Sequence, residues 1–566
     1  MTQNNNHGFR NVAHKTKSPI PRKELVSMND LQQSTDGFRV SKRRQLPSWH
    51  FGVMSVGRCA ALLIVLVSLQ STAVAQFPFQ QPNNLRQPQS PHEAIRQRGF
   101  DYYQKGQYRE AIKVATQVLN VEPKDPVSFY LRASAKIELG RQSADRLLIR
   151  EGIQDARQAL AIRGGDDKFS NLYIPYLYGM SCLAILERKP SHADTSIKTA
   201  GTIIERPNVD KTDKSSLLYQ RAFAREQANL VDSMLFDQTA ATPEDLRAFR
   251  AEQAERRRDA IADYAQAIKY NPKQMGSHIN MAKLLAVSGD VAGATAAYTA
   301  AVQEFPRNAT IFNERGVFLR QQGQLDEAIA DFTQAVAIQS DFAMGYINRG
   351  FCLIDKGEDE AAETDFNTAV GLNPRMSLAL SLRGTARMSL GKSEPAIADF
   401  SRQLELNPKD ATAFANRGFA RFFAKQFNES ARDFQQALQL QPTALHLSVW
   451  RCLALERAGK TEEAHAELQA LLDSGKGPQG WVATVSRFLL GQTTGEEMLA
   501  AAKEVQDERI SAAQQCEAQF YIGQRDLMAG NTEAANKHFE AAIATNANYL
   551  SAYREAKYEL GQFGGQ

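Results

Sequence analysis

Four glycines set 34 residues apart, Gly316, Gly350, Gly384 and Gly418, constrain this chain more than any other feature, and Ala282 stands 34 residues before the first. Twelve residues after each comes a small residue: Ala294, Ala328, Ala362, Ala396 and Ser430. Sixteen after comes an aromatic: Tyr298, Phe332, Phe366, Phe400 and Phe434. Twenty-four after come Pro306, Ser340, Pro374, Pro408 and Pro442. The spacing has a direct physical reading. Small residues on two consecutive helices let them approach closely, and the aromatic fills the gap toward the next unit. A proline ends the second helix because the residue before it avoids helical geometry. A further series, Gly289, Gly323, Gly357 and Gly391, marks the turn between the two helices. A period of this length is that of a stacked helix-turn-helix array, whose units bury their apolar faces only against their neighbours.

Outward from these five units the pattern decays. Gly99, Ala111, Val118 and Pro123 fit a first repeat over about 92–125, and 126–162 resembles a second, lengthened around Arg141–Arg150. The chain is then irregular to about 214, apart from Gly179. A further repeat has its first helix near Leu217–Arg225, an insertion, and then Ala260, Tyr264, Ala267 and Pro272. Thr242-Pro243-Glu244-Asp245 predicts the start of a long helix from Pro243 to about Tyr270. Its charged run (Glu252, Glu255, Arg256, Arg257, Arg258, Asp259) reads as a solvated face. Cys452, Gly459 and Ala464 continue the register, a break follows at 474–478, and two short helices are expected around Trp481–Leu490 and Glu496–Lys503. Gly523, Gly530, Ala535, Phe539 and Ala542 form a last repeat. Tyr549–Leu560 is expected to cover the exposed end of the stack. The organisation is therefore 92–272 irregular repeats, 273–442 regular repeats and 443–562 a C-terminal segment.

The period and its small, aromatic and proline positions resemble the tetratricopeptide (TPR) superfamily. The resemblance implies an all-α, right-handed superhelical solenoid that binds other proteins or peptides. TPR proteins present the inner face of the first helix to a ligand. With Gly316 as position 8, that face takes positions 2, 5, 6, 9, 12 and 13, which here include Asn280, Lys283, Asn313, Arg320, Asn348, Asp355, Asn416, Phe419 and Phe422. Asparagines can hydrogen-bond a peptide backbone and aromatics can anchor it. Carboxylate-clamp TPRs carry lysines at positions 2 and 5, where this chain has Met344, Ile347, Leu378 and Ser381, so binding of chaperone tails is not expected. Arg315, Arg349, Arg383 and Arg417 recur with Asp331, Asp365, Asp399 and Asp433. They are expected to form a ladder joining Asp of one repeat to Arg of the next, as Asp331 to Arg349, each pair worth ~0.2–1 kcal/mol if exposed.

The N-terminal region reads differently. Arg58 precedes the apolar run 59–67, and Ala73-Val74-Ala75 precedes Gln76. A basic flank, a short apolar core and an A-x-A site are the parts of a secretory signal peptide, and the run is short for a bilayer span of about 20 residues. Cleavage after Ala75 is the expectation, giving an exported, periplasmic or envelope-associated protein, with a retained membrane tether as the alternative. Met54 would open a well-proportioned signal peptide, so 1–53 is a basic leader that the residues leave open as translated or not. Cys59 stands at the very start of the apolar run, directly after Arg58, and is no lipoprotein cysteine. Residues 76–91, with four prolines, read as a Pro/Gln-rich linker. Residues 1–75 hold ten Lys/Arg and three Asp/Glu, leaving 57 and 60 in the remainder, so the body has no electrostatic footprint for nucleic acid.

Little in the body speaks for chemistry. His92, His192, His278, His446, His465 and His538 show no ligand spacing, and neither a G-x-S-x-G nor a G-x-x-x-x-G-K phosphate loop occurs. The glycines at 475, 477 and 480 fall in the break after a helical repeat, not after a strand as a dinucleotide fingerprint requires. Cys182, Cys352, Cys452 and Cys516 are scattered singly and read as buried hydrophobes. No catalytic residue, metal or cofactor is expected, and the insertions at about 141–155, 190–214 and 229–258 are too small for a catalytic domain. Across 445–562, Trp481, Phe488-Leu-Leu-Gly491, Cys516-Glu-Ala-Gln-Phe-Tyr-Ile-Gly523, Met528-Ala-Gly-Asn531, His538-Phe-Glu-Ala-Ala542 and Tyr553-Arg554 resemble the C-terminal part of NlpI-type bacterial envelope TPR proteins. That resemblance implies an adaptor bringing peptidoglycan hydrolases to a processing protease. It departs in lacking a lipobox and in being about twice as long. A structural component of an envelope assembly or secretion complex is the competing reading.

Overall fold

The computed structural model describes residues 92–563 except 164–166, 238–240, 476 and 548–549. The leader, signal segment and linker expected over 1–91 lie outside the described residues. Regular structure among the described residues is helical throughout. Antiparallel pairs follow one another: α1 (Glu93–Gln104) and α2 (Tyr108–Val121), α3 (Pro126–Gln142) and α4 (Arg146–Arg163), α5 (Tyr173–Glu187) and α6 (Pro190–Ile204), α7 (Lys211–Leu235) and α8 (Pro243–Tyr270). The regular units are α9 (Met275–Val287) and α10 (Val291–Glu304), α11 (Ala309–Gln321) and α12 (Leu325–Ile338), α13 (Ala343–Lys356) and α14 (Asp359–Leu372), α15 (Ser377–Ser389) and α16 (Ser393–Leu406), α17 (Ala411–Phe423) and α18 (Phe427–Leu440). Then come α19 (His446–Arg457) and α20 (Thr461–Asp473), the short α21 (Gly480–Leu489) and α22 (Gly495–Lys503), α23 (Glu508–Met528) and α24 (Thr532–Ala544), and α25 (Ser551–Phe563).

The regular pairs from α11 to α18 each close on a glycine of the first helix, as do α23 and α24. A Cβ on Gly316, Gly350, Gly384, Gly418 or Gly523 would come within 2.6–2.8 Å of Phe332, Phe366, Phe400, Phe434 or Phe539 of the same pair. The ring thus lies over its own repeat's glycine, and Phe332 also meets Cys352 of the next. The turn glycines hold left-handed backbone, from φ 71° at Gly391 to 84° at Gly289, while Lys425 occupies the equivalent turn at φ 59°. Thr242 and Asp245 form a reciprocal capping box at the start of α8, which runs the full length expected of it. In the charged run of α8, Arg256 pairs with Asp232 of α7 and with Glu252.

The stretch 173–204, irregular in sequence, is a hairpin as complete as the others. Its first helix is apolar almost all round, so it has no polar face to mark a period. The segment Phe169–Glu187 is long and apolar enough to cross a membrane, but 72% of it is buried within the stack. Cys182, Cys352, Cys452 and Cys516 are all buried and unbridged, and burial pushes the Cys182, Cys352 and Cys516 thiols up to about 12.

Two expectations are corrected. The Arg–Asp pairs lie within repeats: Arg315, Arg349, Arg383 and Arg417 grip Asp331, Asp365, Asp399 and Asp433 sixteen residues on, through Nε and Nη2 at 2.5–3.1 Å. Continuity with the preceding repeat runs through neutral acceptors instead. Arg349, Arg383 and Arg417 donate from Nη1 to Thr333, Asn367 and Ser401, sixteen residues back. Arg132 repeats the fork with Asp155 and Thr116, and Arg221 its forward half with Asp263. The second correction concerns α25, which does not simply cover the end of the stack. It packs on α23 and α24 and reaches back to α17. Tyr558 stacks on Phe423 at 5.9 Å, Glu559 pairs with Arg457 at 3.2 Å, and Arg554 and Lys557 lie within electrostatic reach of Asp359.

Candidate protein-binding groove

The predicted groove residues sit on first helices, and most of them are held by each other. Asn348 donates to Asn313 Oδ1 at 2.7 Å across 35 residues, and Arg320 pairs with Asp355 at 2.8 Å while lying over the Phe351 ring. Lys283 Nζ approaches Glu314 at 2.6 Å, and Asn280 donates to the Tyr264 hydroxyl at 3.1 Å. Along α9, α11 and α13 the inner positions therefore form a laterally paired polar ribbon. Its spare capacity is small, the buried Asn348 Oδ1 being one orphaned acceptor. Asn416 is half-buried and has no side-chain hydrogen bond among the described residues.

Phe419 and Phe422 are not exposed anchors. They are 2% and 1% exposed and pack edge-on against Trp450 at 5.0 and 5.5 Å, inside the C-terminal core. The cause is the indole of Trp450, which stacks on Phe520 at 5.2 Å and draws α17, α19 and α23 around one aromatic hub.

A cleft opens beside that hub, between α19, α21, α23 and the start of α25. It is lined by Phe419, His446, Val449, Trp450, Trp481, Val482, Val485, Gln514, Glu517, Tyr521 and neighbouring small residues. Glu517 Oε2 accepts the Trp481 indole N–H at 2.7 Å. Burial pushes the Glu517 carboxyl up to about 7 and His446 down to about 4. Gln514 and Tyr521 are buried, yet their side chains, like that of His446, have no hydrogen-bond partner among the described residues. A signal for this cleft was present in the sequence. With Cys452 and Gly523 in the place of Gly316, positions 2, 5 and 6 give His446, Val449 and Trp450, then Glu517, Phe520 and Tyr521. The same inner face is thus continued by these two repeats.

Among the described residues there is no cluster of three or more His, Cys, Asp or Glu side chains able to hold a metal ion. Tetratricopeptide-repeat family models match residues 279–342 and 345–376. No curated protein matches the chain. Solved structures similar to parts of it include YrrB, described as a TPR protein with an unusual peptide-binding site, at 24% identity and a TM-score of 0.29, over 32% of this chain and 96% of that one. A tetratricopeptide repeat protein from Parabacteroides merdae aligns at 22% identity and a TM-score of 0.34, over 46% of this chain and 98% of its own. PilW, described as a widely conserved type IV pilus biogenesis factor, aligns at 22% identity and 0.30, over 36% and 95%.

Proposed function

We propose that this chain, which carries tetratricopeptide repeats, is a non-catalytic scaffold that acts after export, in the bacterial cell envelope, by binding partner polypeptides along the inner faces of its first helices. One observation carries the reading. Side chains from positions 2, 5, 6 and 9 of successive repeats meet on one face, and in the cleft by Trp450 they keep polar groups with hydrogen-bonding capacity to spare. Buried polar groups of that kind favour a ligand that satisfies them. Export is supported by the basic flank, apolar run and A-x-A site over 58–75. The C-terminal resemblance to NlpI-type adaptors supports a processing protease or peptidoglycan hydrolases as the partners.

The test is a tagged pull-down of the full chain from crosslinked envelope fractions, with crosslinked positions read by mass spectrometry. The reading expects envelope proteins joined to residues of α9, α11, α13, α17, α19 or α23. Crosslinks confined to second helices, or partners from the cytoplasm alone, would overturn it.

A further inference from the structure

The cleft by Trp450 holds an acid with no cation paired to it. Two other buried carboxylates of the C-terminal unit have cations beside them: Glu456 lies 3.0 Å from Arg525, and Glu559 lies 3.2 Å from Arg457. Glu555, which has no such ion pair, stands outside the cleft lining. Glu517 forms no ion pair with any described residue; its one hydrogen bond comes from the neutral Trp481 indole. Around it stand the Gln514 amide and the Tyr521 hydroxyl, 4% and 3% exposed and both unpartnered, and no Lys or Arg lines the cleft. We propose that this cleft is a subsite for one basic side chain, Arg or Lys, carried by a polypeptide lying in the groove. The proposal rests on the groove reading above and names the chemistry that its C-terminal section selects.

The alternatives fail on the same residues. An apolar side chain would strip water from Glu517, Gln514 and Tyr521 without replacing its hydrogen bonds, which is costly for each group. An anion would meet the Glu517 carboxyl with no Lys or Arg in the lining to offset it. A cation gains from these groups at once: charge pairing with Glu517 and acceptors on Gln514 and Tyr521, in a cleft lined by the aromatic side chains of Trp450 and Trp481. His446 does not oppose it, because burial holds its imidazole neutral at pH 7. Rings of Phe419, Trp450, Trp481 and Tyr521 wall the cleft.

Fluorescence anisotropy of labelled nonapeptides with the full chain tests this, the central residue being Arg, Lys, citrulline or Glu among degenerate Ala, Ser and Thr. Arg and Lys peptides are expected to bind about tenfold more tightly than the citrulline peptide, the scale of one cation–aromatic contact in a desolvated site. Glu517→Gln, which still accepts from Trp481, is expected to erase that preference. Tyr521→Phe, which removes one oxygen, is expected to weaken the Arg peptide severalfold with the far-UV spectrum intact. Equal binding of all four peptides to both proteins would overturn the cation subsite while leaving the groove reading standing. No binding of the Arg peptide at millimolar concentration would overturn it too. Free L-arginine binding as tightly as the peptide would overturn the polypeptide as its source. Crosslinks that avoid the first helices would remove the groove itself.

Discussion

Asp365 is 4% exposed and holds both Nε and Nη2 of Arg349, whose third nitrogen reaches Thr333 in the repeat before. Buried and bidentate, such a carboxylate is worth more than a surface pair, because its removal strands a guanidinium. Asp365→Ala is expected to destabilise by about 2–3 kcal/mol, read as a lower urea midpoint at unchanged slope. An effect under about 1 kcal/mol would return the pair to the class of exposed ion pairs. The residue types and their spacing were legible in the sequence, but the partner was not. A separation of 16 joins the two helices of one hairpin and one of 18 joins neighbours, and only the packing decides between them. Glu226 offers a second test at this scale. Its carboxyl accepts the Tyr264 hydroxyl and faces Tyr219 and Lys283, and burial pushes it up to about 7. A folded acid that titrates higher than the unfolded one binds more protons between roughly pH 4.5 and 7, so its contribution to stability falls as pH rises through that window and is level outside it. Glu226→Gln is expected to remove that slope, so the variant's melting temperature gains on the wild type from pH 5 to 8. A constant difference across that range would count against the buried acid.

Among the elements, the hairpins visible in sequence are those that keep the 34-residue spacing of a small residue in each helix and an aromatic in the second. The pair α5 and α6 escaped because α5 is buried on nearly every side and shows no alternation of polar and apolar faces. The long pair α7 and α8 was legible at one end only. Thr242 and Asp245 announced where α8 begins, whereas nothing local announced that α7 runs on to Leu235. Its end is fixed by contact across the pair, as where Phe236 stacks on Phe249 at 4.1 Å. The turn from α17 to α18 departs from its neighbours in a way that can be tested. Lys425 stands at φ 59° where Gly289, Gly323, Gly357, Gly391 and Gly459 stand in the other repeats. A side chain in left-handed backbone costs about 1 kcal/mol, against a smaller gain from a less flexible unfolded chain. Lys425→Gly is therefore expected to stabilise by about 0.5–1 kcal/mol in thermal or urea unfolding. A loss instead would show that the Lys425 charge, set near Glu555, outweighs the strain.

For the whole molecule, a stack of hairpins is close to one-dimensional: each unit touches its neighbours, and loss of the last should be felt only by the one before it. The terminal helix breaks that rule. It carries contacts from α23 and α24 back to Phe423, the turn at Gly391 and the neighbourhood of Asp359, about 200 residues away in sequence. No periodic pattern could reveal this, since repeats encode contacts between adjacent units and α25 bridges units that are not adjacent. Its buried Ala552 and Ala556 share one hydrophobic core with Phe400, Phe434 and Trp450, so 388–560 behaves as a single packed body. Deleting 551–566 is expected to raise amide hydrogen exchange not only in α23 and α24 but also around 391–393, 423–425 and 457, with a second, lower unfolding transition for the C-terminal unit. The purely one-dimensional stack gives the opposite result, with exchange rising in 508–544 and protection unchanged near Gly391 and Phe423. The contrast lies in distant turns that the deletion does not touch in sequence, so a general loss of stability cannot imitate it unless 275–372 loosens equally.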